Sequence, residues 1–247
     1  MSRDFTLEAY GGLLGALTER GYQVRGYADV DPAQRHLILR HDVDMSLDAA
    51  LPIAEIESKR GFKAHYFVLL RTEMYNVFSA GARAALLKLC GLGHEIGLHL
   101  DASLYGNDPA ELQQAAQAEC EVLEAAVDRP VRVISFHRPA KALLGHAEPL
   151  AGRPHAYQPR FYSEMGYCSD SRGAWHHGYP LDHPAVREGR ALQLLTHPIW
   201  WAGNAQTPSA RLAAFLAERF GVLDTALAEN CTVHRPGSVP RQSDAIE

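Results

Sequence analysis

Short apolar runs that each close in a cluster of polar residues constrain this chain more than any other feature. Residues 36–40 read H-L-I-L-R and close in Arg40, His41, Asp42, Val43 and Asp44. Residues 95–100 close in His99, Leu100 and Asp101; residues 131–136 close in His137, Arg138 and Pro139. Later runs at 167–169 and 191–196 close in Ser169-Asp170-Ser171-Arg172 and in His197-Pro198, and 64–70 reads A-H-Y-F-V-L-L. Continuous apolar runs of this length belong to strands covered on both faces, which means parallel sheets. Helical patterns fall between them. They are expected over 4–20, 46–60 with Pro52 as a kink, 76–90, 108–128 and 207–229. Asp108-Pro109-Ala110-Glu111 is a strong start signal, joining a cap, a first-turn proline and a capping-box glutamate.

Alternating strands and helices predict an α/β protein with a parallel sheet covered by helices. The first of the strand ends is R-H-D-V-D, not a glycine-rich phosphate loop, so a nucleotide-binding doubly wound sheet is disfavoured. A single barrel related to the TIM barrel fits better, over residues 1–234 with a flexible tail at 235–247. The 247 residues suffice for one such domain. Residues 138–166 form a long loop, of the kind that is functional or mobile.

In a parallel barrel the C-terminal strand ends converge on one rim, where such barrels place their chemistry. Histidines at four strand ends and at least three aspartates would meet there. Period two puts Asp42 and Asp44 on one face and His41 on the other. Two carboxylates on one face repel unless a cation or proton lies between them. That pattern points to one carboxylate as a metal ligand and the other as a base. In H-E-I-G-L-H the two histidines are one residue too far apart for a zinc-protease helix, and Gly97 disfavours a helix. On a strand their rings face opposite ways, so His99 is the ligand candidate and His94 structural. Imidazole with carboxylate suits zinc, or another late first-row ion, better than magnesium. His197, across the barrel, is placed to give a proton to a leaving amine.

Several classes are disfavoured. Lys and Arg number 24 against 29 Asp and Glu, a net charge of −5, so a nucleic-acid surface has no electrostatic support. No apolar run approaches the roughly 18 residues of a membrane helix. The opening M-S-R-D-F-T-L-E lacks a signal-peptide pattern, and the four scattered cysteines form no C-x-x-C pair. A cytoplasmic location is the expectation.

The strings RHDVD, GHEIGLHLD, SFHRP, YCSDSRGAW and LLTHPIWW, in that order, resemble the polysaccharide deacetylase superfamily, carbohydrate esterase family 4, with its NodB-homology fold. Within it the chain is similar to the branch found with surface-polysaccharide genes. The resemblance runs from about residue 4 to residue 201. It implies a distorted (β/α)7 barrel that uses a divalent metal to remove acetyl groups, mostly from amino sugars. It implies Asp42 as base, Asp44 and His99 as metal ligands, and His197 as catalytic acid. The family's second-motif histidine is replaced here by Ser103, and its third-motif arginine by His137. His137 then supplies the third ligand, or the site binds metal weakly. Arg138 and Asp170 are expected at the substrate, although a strand-end salt bridge would serve Arg138 equally well. Two alternatives stay open. One is a carbon–nitrogen hydrolase of a non-sugar amide; the other is a non-catalytic barrel that binds a glycan or nucleotide sugar.

Overall fold

A computed structural model describes residues 4–105, 108–203 and 207–238. The chain divides into two compact units, 1–205 and 206–247. Of the expected tail, residues 239–247 lie outside the described residues.

In the first unit, the elements run α1 (Leu7–Glu19), β1 (Gln23–Val24), β2 (His36–Val43), α2 (Ala50–Ser58), β3 (His65–Leu69), α3 (Ala80–Gly91) and β4 (Glu95–Asp101). They continue through α4 (Pro109–Val127), β5 (Ile134–His137), α5 (Pro159–Tyr162), β6 (Gly166–Ser169), α6 (Pro184–Arg187) and β7 (Leu192–Thr196). The strands form one seven-stranded sheet in the order β5-β4-β3-β2-β7-β6, with β1 beside the start of β2. All six pairings are parallel. This is the α/β barrel architecture expected, in a distorted form.

The gap between the edge strands β5 and β6 is occupied by backbone from the long loop. Ile134 N donates to Pro154 O and Ala156 N donates to Ile134 O, at 3.1 and 2.9 Å. From β7, the Gln193 side-chain amide donates to Ala156 O and Phe161 O at 3.1 and 2.9 Å. The loop is therefore fastened to the sheet around residue 155.

Local chemistry sets the element ends. Thr6 Oγ1 accepts from Ala9 N and starts α1, and Tyr10, Leu13, Leu14 and Leu17 bury its inner face. Pro52 does not kink α2. The helix starts at Ala50, so Pro52 lies in the first turn, where its missing N–H costs nothing. Asp108 Oδ1 accepts from Ala110 N to open α4, and Asp128, with φ of 53°, closes it in the left-handed region. Gly97 in β4 is fixed by crowding, because a Cβ there would lie 2.6 Å from the Phe67 ring.

The second unit is α7 (Pro208–Asn230), capped by Thr207 and followed by a turn tied back through Asp224. His234 Nε2 lies 2.7 Å from Asp224 Oδ1, and Gly237 N donates to Asp224 Oδ2 at 2.7 Å. No helix among the described residues is long and apolar enough to cross a membrane.

Candidate metal centre and hydrolytic site

The rim site is built from β2, β4, β5 and β7. On β2, period two places Arg40 and Asp42 on one face and His41 on the other. Arg40, fully buried, donates from Nε to Asp42 Oδ1 at 2.9 Å and from Nη2 to Asp42 Oδ2 at 2.8 Å. The same Nη2 reaches Ser135 Oγ at 2.8 Å and Tyr157 OH at 3.0 Å. Burial pushes the Asp42 carboxyl up. Arg40, His99 and His197 outweigh it and hold the group below its ordinary range, so Asp42 is an anion.

Asp44, just past β2, lies at the centre. Its Oδ1 is 3.1 Å from His99 Nε2 and 3.5 Å from His137 Nδ1, and its Oδ2 is 3.9 Å from His197 Nε2. Burial raises its pKa, but the His137, His99 and His197 rings hold it well below the usual carboxylate range. His99 is oriented from behind by Ser135, whose Oγ is 2.7 Å from His99 Nδ1. Register explains this contact, since His99 and Ser135 are direct partners across β4 and β5. Asp101 and His137 are the partners two residues on.

The three residues expected to hold metal thus come together. One ligand atom each from Asp44, His99 and His137 lie within 4.8 Å of one another. The fit to a cation is tested by Asp44 Oδ1, a buried carboxylate oxygen with no hydrogen bond. An unsatisfied anionic oxygen facing two imidazoles is costly unless a cation completes it. Two nitrogens and one oxygen suit zinc and leave a coordination position open.

His197 follows β7 and is held by Asp170. Its Nδ1 lies 2.7 Å from Asp170 Oδ1, and its backbone N donates to both Asp170 oxygens at 2.9 and 3.1 Å. Burial lowers the His197 pKa. The hydrogen bond to Asp170 and the charges of Asp170, Asp44 and Asp42 more than offset it and raise it to about 9. Trp201 Nε1 donates to Asp170 Oδ2 at 2.7 Å. Asp170 is fully buried and its oxygens are engaged. It therefore sits behind His197 and orients it.

Arg138 directly follows β5 and its side chain is largely exposed. Its guanidinium pairs with Asp101, whose other oxygen accepts from Ser103 N and Oγ at 3.2 and 2.6 Å. The salt bridge is the outcome for Arg138, and it does not touch Asp42. Asp101 thereby caps the short turn at 102–104 that follows β4. His94 bonds to backbone, receiving Ala64 N at 3.2 Å and lying 2.9 Å from Ala54 O.

Arg40, Ser135 and Tyr157 were not among the expected site residues. Period two could have found Arg40 with Asp42, and Ser135 with His137. Nothing local marks Tyr157, which arrives from the long loop.

No family model matches the sequence, and no curated protein matches it. Several solved structures overlay on it. A family 4 carbohydrate esterase from Bacillus anthracis shares 15% identity over 85% of each chain, with a TM-score of 0.43. A Streptococcus pyogenes deacetylase in complex with acetate shares 13% identity over 86% of this chain and 88% of its own, with a TM-score of 0.44. A family 4 acetyl xylan esterase from Clostridium thermocellum, in complex with a cobalt ion, shares 16% over 74% and 84%, with a TM-score of 0.40. The chemistry proposed for this chain rests on its own residues.

Proposed function

We propose that the protein is a zinc-dependent hydrolase that removes an acyl group, in the first instance acetyl, from the nitrogen of an amino sugar or a related small amide. The observation that carries this reading is the unsatisfied Asp44 Oδ1 between His99 and His137, with an ionised Asp42 on one side and His197 on the other. Asp44, His99 and His137 would hold the ion. When bound, it supplies Lewis acidity toward an acyl oxygen and raises the acidity of a water.

The remaining work belongs to the side chains. Asp42 accepts the proton of the attacking water, and Arg40 and Ser135 fix its carboxylate in one orientation. His197 keeps Nδ1 on Asp170, so its Nε2 faces the site and carries the proton given to the departing nitrogen. The balance is that of hydrolysis. Water adds to the acyl carbon, the carbon–nitrogen bond breaks, and the amine leaves with a proton. The cysteines Cys90, Cys120, Cys168 and Cys231 are all free thiols, which supports a reducing, cytoplasmic setting.

Zinc titration of the metal-free protein tests the ligand set, and acetate release from N-acetylated amino sugars tests the reaction. His137→Ala should weaken zinc binding strongly and stop hydrolysis, and Ser103→Ala should leave both unchanged. Equal zinc affinity for the wild type and His137→Ala would overturn the three-ligand site. A zinc-loaded protein that releases no acyl group from any sugar or non-sugar amide would overturn the hydrolase.

A further inference from the structure

Ser135 has a single hydroxyl proton and three polar neighbours. Its Oγ lies 2.8 Å from Arg40 Nη2, 2.7 Å from His99 Nδ1 and 3.3 Å from Asp42 Oδ1. All four side chains are buried, so they satisfy their protons and lone pairs largely on one another.

The neighbours differ in what they can do. Arg40 only donates. Asp42, paired on both oxygens by that guanidinium, is a carboxylate and only accepts. His99 can do either at Nδ1, according to its tautomer. That leaves two arrangements. In one, Ser135 gives its proton to His99 Nδ1, and the neutral ring carries its own proton on Nε2. In the other, Nδ1 carries a proton and donates to Ser135, whose hydroxyl then donates to Asp42.

The surroundings of His99 Nε2 decide between them. Asp44 Oδ1 is 3.1 Å away, yet it is a buried oxygen that takes no hydrogen bond, so it is not in line for a proton on Nε2. Asp42 Oδ2, at 3.7 Å, is beyond hydrogen-bond reach. A neutral ring with its proton on Nε2 would bury that N–H without an acceptor. The second arrangement gives every proton a partner. Nδ1 donates to Ser135, Ser135 donates to Asp42, and the neutral ring turns a bare Nε2 toward Asp44, the state in which an imidazole binds a cation.

We infer that Ser135 is a positioning residue that selects the metal-binding tautomer of His99 and, with the same hydroxyl, ties that ligand to the base Asp42. Its bearing on catalysis rests on the hydrolase reading; its bearing on the metal site does not. The strand pattern makes the double contact possible. Ser135 is the register partner of His99 across β4 and β5, and period two puts it on the same face as His137. One strand thus supplies a ligand and, two residues earlier, the group that prepares the other imidazole.

Three measurements test this. Long-range 1H–15N NMR of the metal-free wild type, with the His99 ring assigned by its loss in His99→Gln, needs neither metal nor turnover, and Nδ1 should carry a proton. Ser135→Ala is close to isosteric and keeps the packing. Calorimetric titration should show its zinc affinity weakened by about 10–100-fold, as is usual when the partner behind a ligating imidazole is lost. At saturating zinc the same variant should release acetate from an N-acetylated amino sugar with kcat about tenfold lower and KM unchanged. A residue that only filled space would leave zinc affinity and kcat where they are. An unprotonated Nδ1 in the wild type, or equal zinc affinity in wild type and Ser135→Ala, overturns the assignment. Weaker zinc binding with an unchanged kcat at saturating zinc overturns the tie to Asp42. If zinc affinity falls as expected but the zinc-loaded wild type hydrolyses no amide, the role toward His99 stands and the hydrolase reading has failed.

Discussion

Arg40 lays its guanidinium along both oxygens of Asp42, at 2.9 and 2.8 Å, in a wall where Arg40 has no exposed surface. Two-point pairing of this kind fixes the plane of the carboxylate as well as its charge. The Arg40 guanidinium is also stacked over Tyr157, 4.7 Å from the ring centroid. A carboxylate so restrained is ionised, oriented and unable to turn away toward His99. Holding it this way lowers its basicity.

Asp42→Asn should therefore lower kcat by about 10²–10⁴-fold, the usual contribution of a general base, and leave zinc affinity nearly intact. Asp44→Asn should lose both activity and zinc. Steady-state kinetics and calorimetric zinc titration of the two variants check this. Loss of zinc by Asp42→Asn with retention by Asp44→Asn would exchange the two roles.

The His197–Asp170 contact makes a prediction for the metal-free protein. His197 sits above the ordinary histidine value, at about 9, so its protonated form is favoured in the folded state. The associated stability is fully present below the unfolded value of about 6.5 and is lost as pH rises through about 9. In Asp170→Asn the strongest supporting charge is gone, and the imidazole should titrate at lower pH. NMR observation of the His197 ring through a pH series reads this directly. An unchanged titration in Asp170→Asn would remove Asp170 from its positioning role.

Much of the site was legible because strand periodicity is local. Alternation separated Asp42 and Asp44 from His41, and the five-residue spacing separated His99 from His94. What escaped depends on partners distant in sequence. Ser135 sits 93 positions from Asp42 and 36 from His99, and a serine within an apolar run carries no signal of the three groups it touches. Asp170 looked like a rim group because its burial is created by Trp201 and His197 folding over it. β1 was invisible, since two residues are too few to show a period.

Gly97→Ala should destabilise the barrel without touching any polar group of the site. The new Cβ would meet the Phe67 ring at 2.6 Å and the Val133 carbonyl at 3.0 Å, in a region too close-packed to yield. Overpacking of this kind costs about 1–3 kcal/mol. Phe67→Leu in the same chain should recover part of the loss, because the ring is the nearest obstacle. Urea unfolding of the single and double variants measures both, and a Gly97→Ala protein as stable as the wild type would show that the strand relaxes freely.

Behind the sheet, on the face that period two assigns to His41, a second polar cluster serves stability. Glu57 on α2 is fully buried; its Oε1 lies 2.8 Å from His41 Nε2 and accepts from Tyr10 OH, and its Oε2 accepts from Tyr66 OH at 2.6 Å. His41 Nδ1 is in turn 2.7 Å from Thr196 Oγ1, so the cluster ties α1, α2, β2, β3 and β7 together. Burial raises the Glu57 pKa, but His41, Tyr10 and Tyr66 outweigh it and hold the group below its ordinary value. The sign follows from that direction. A carboxyl with a depressed folded pKa adds stability above its unfolded value of about 4.3, and that stability drains away as pH falls through the folded value. Glu57→Gln removes an anion from three donors that stay buried, which should cost about 3 kcal/mol or more at pH 7. The gap between wild type and variant should then narrow as the pH is lowered below about 4, where the wild type loses the same advantage by protonation. Denaturant unfolding of both proteins at several pH values measures the gap. A gap that is constant with pH would mean that packing around residue 57, and not its charge, holds the cluster together.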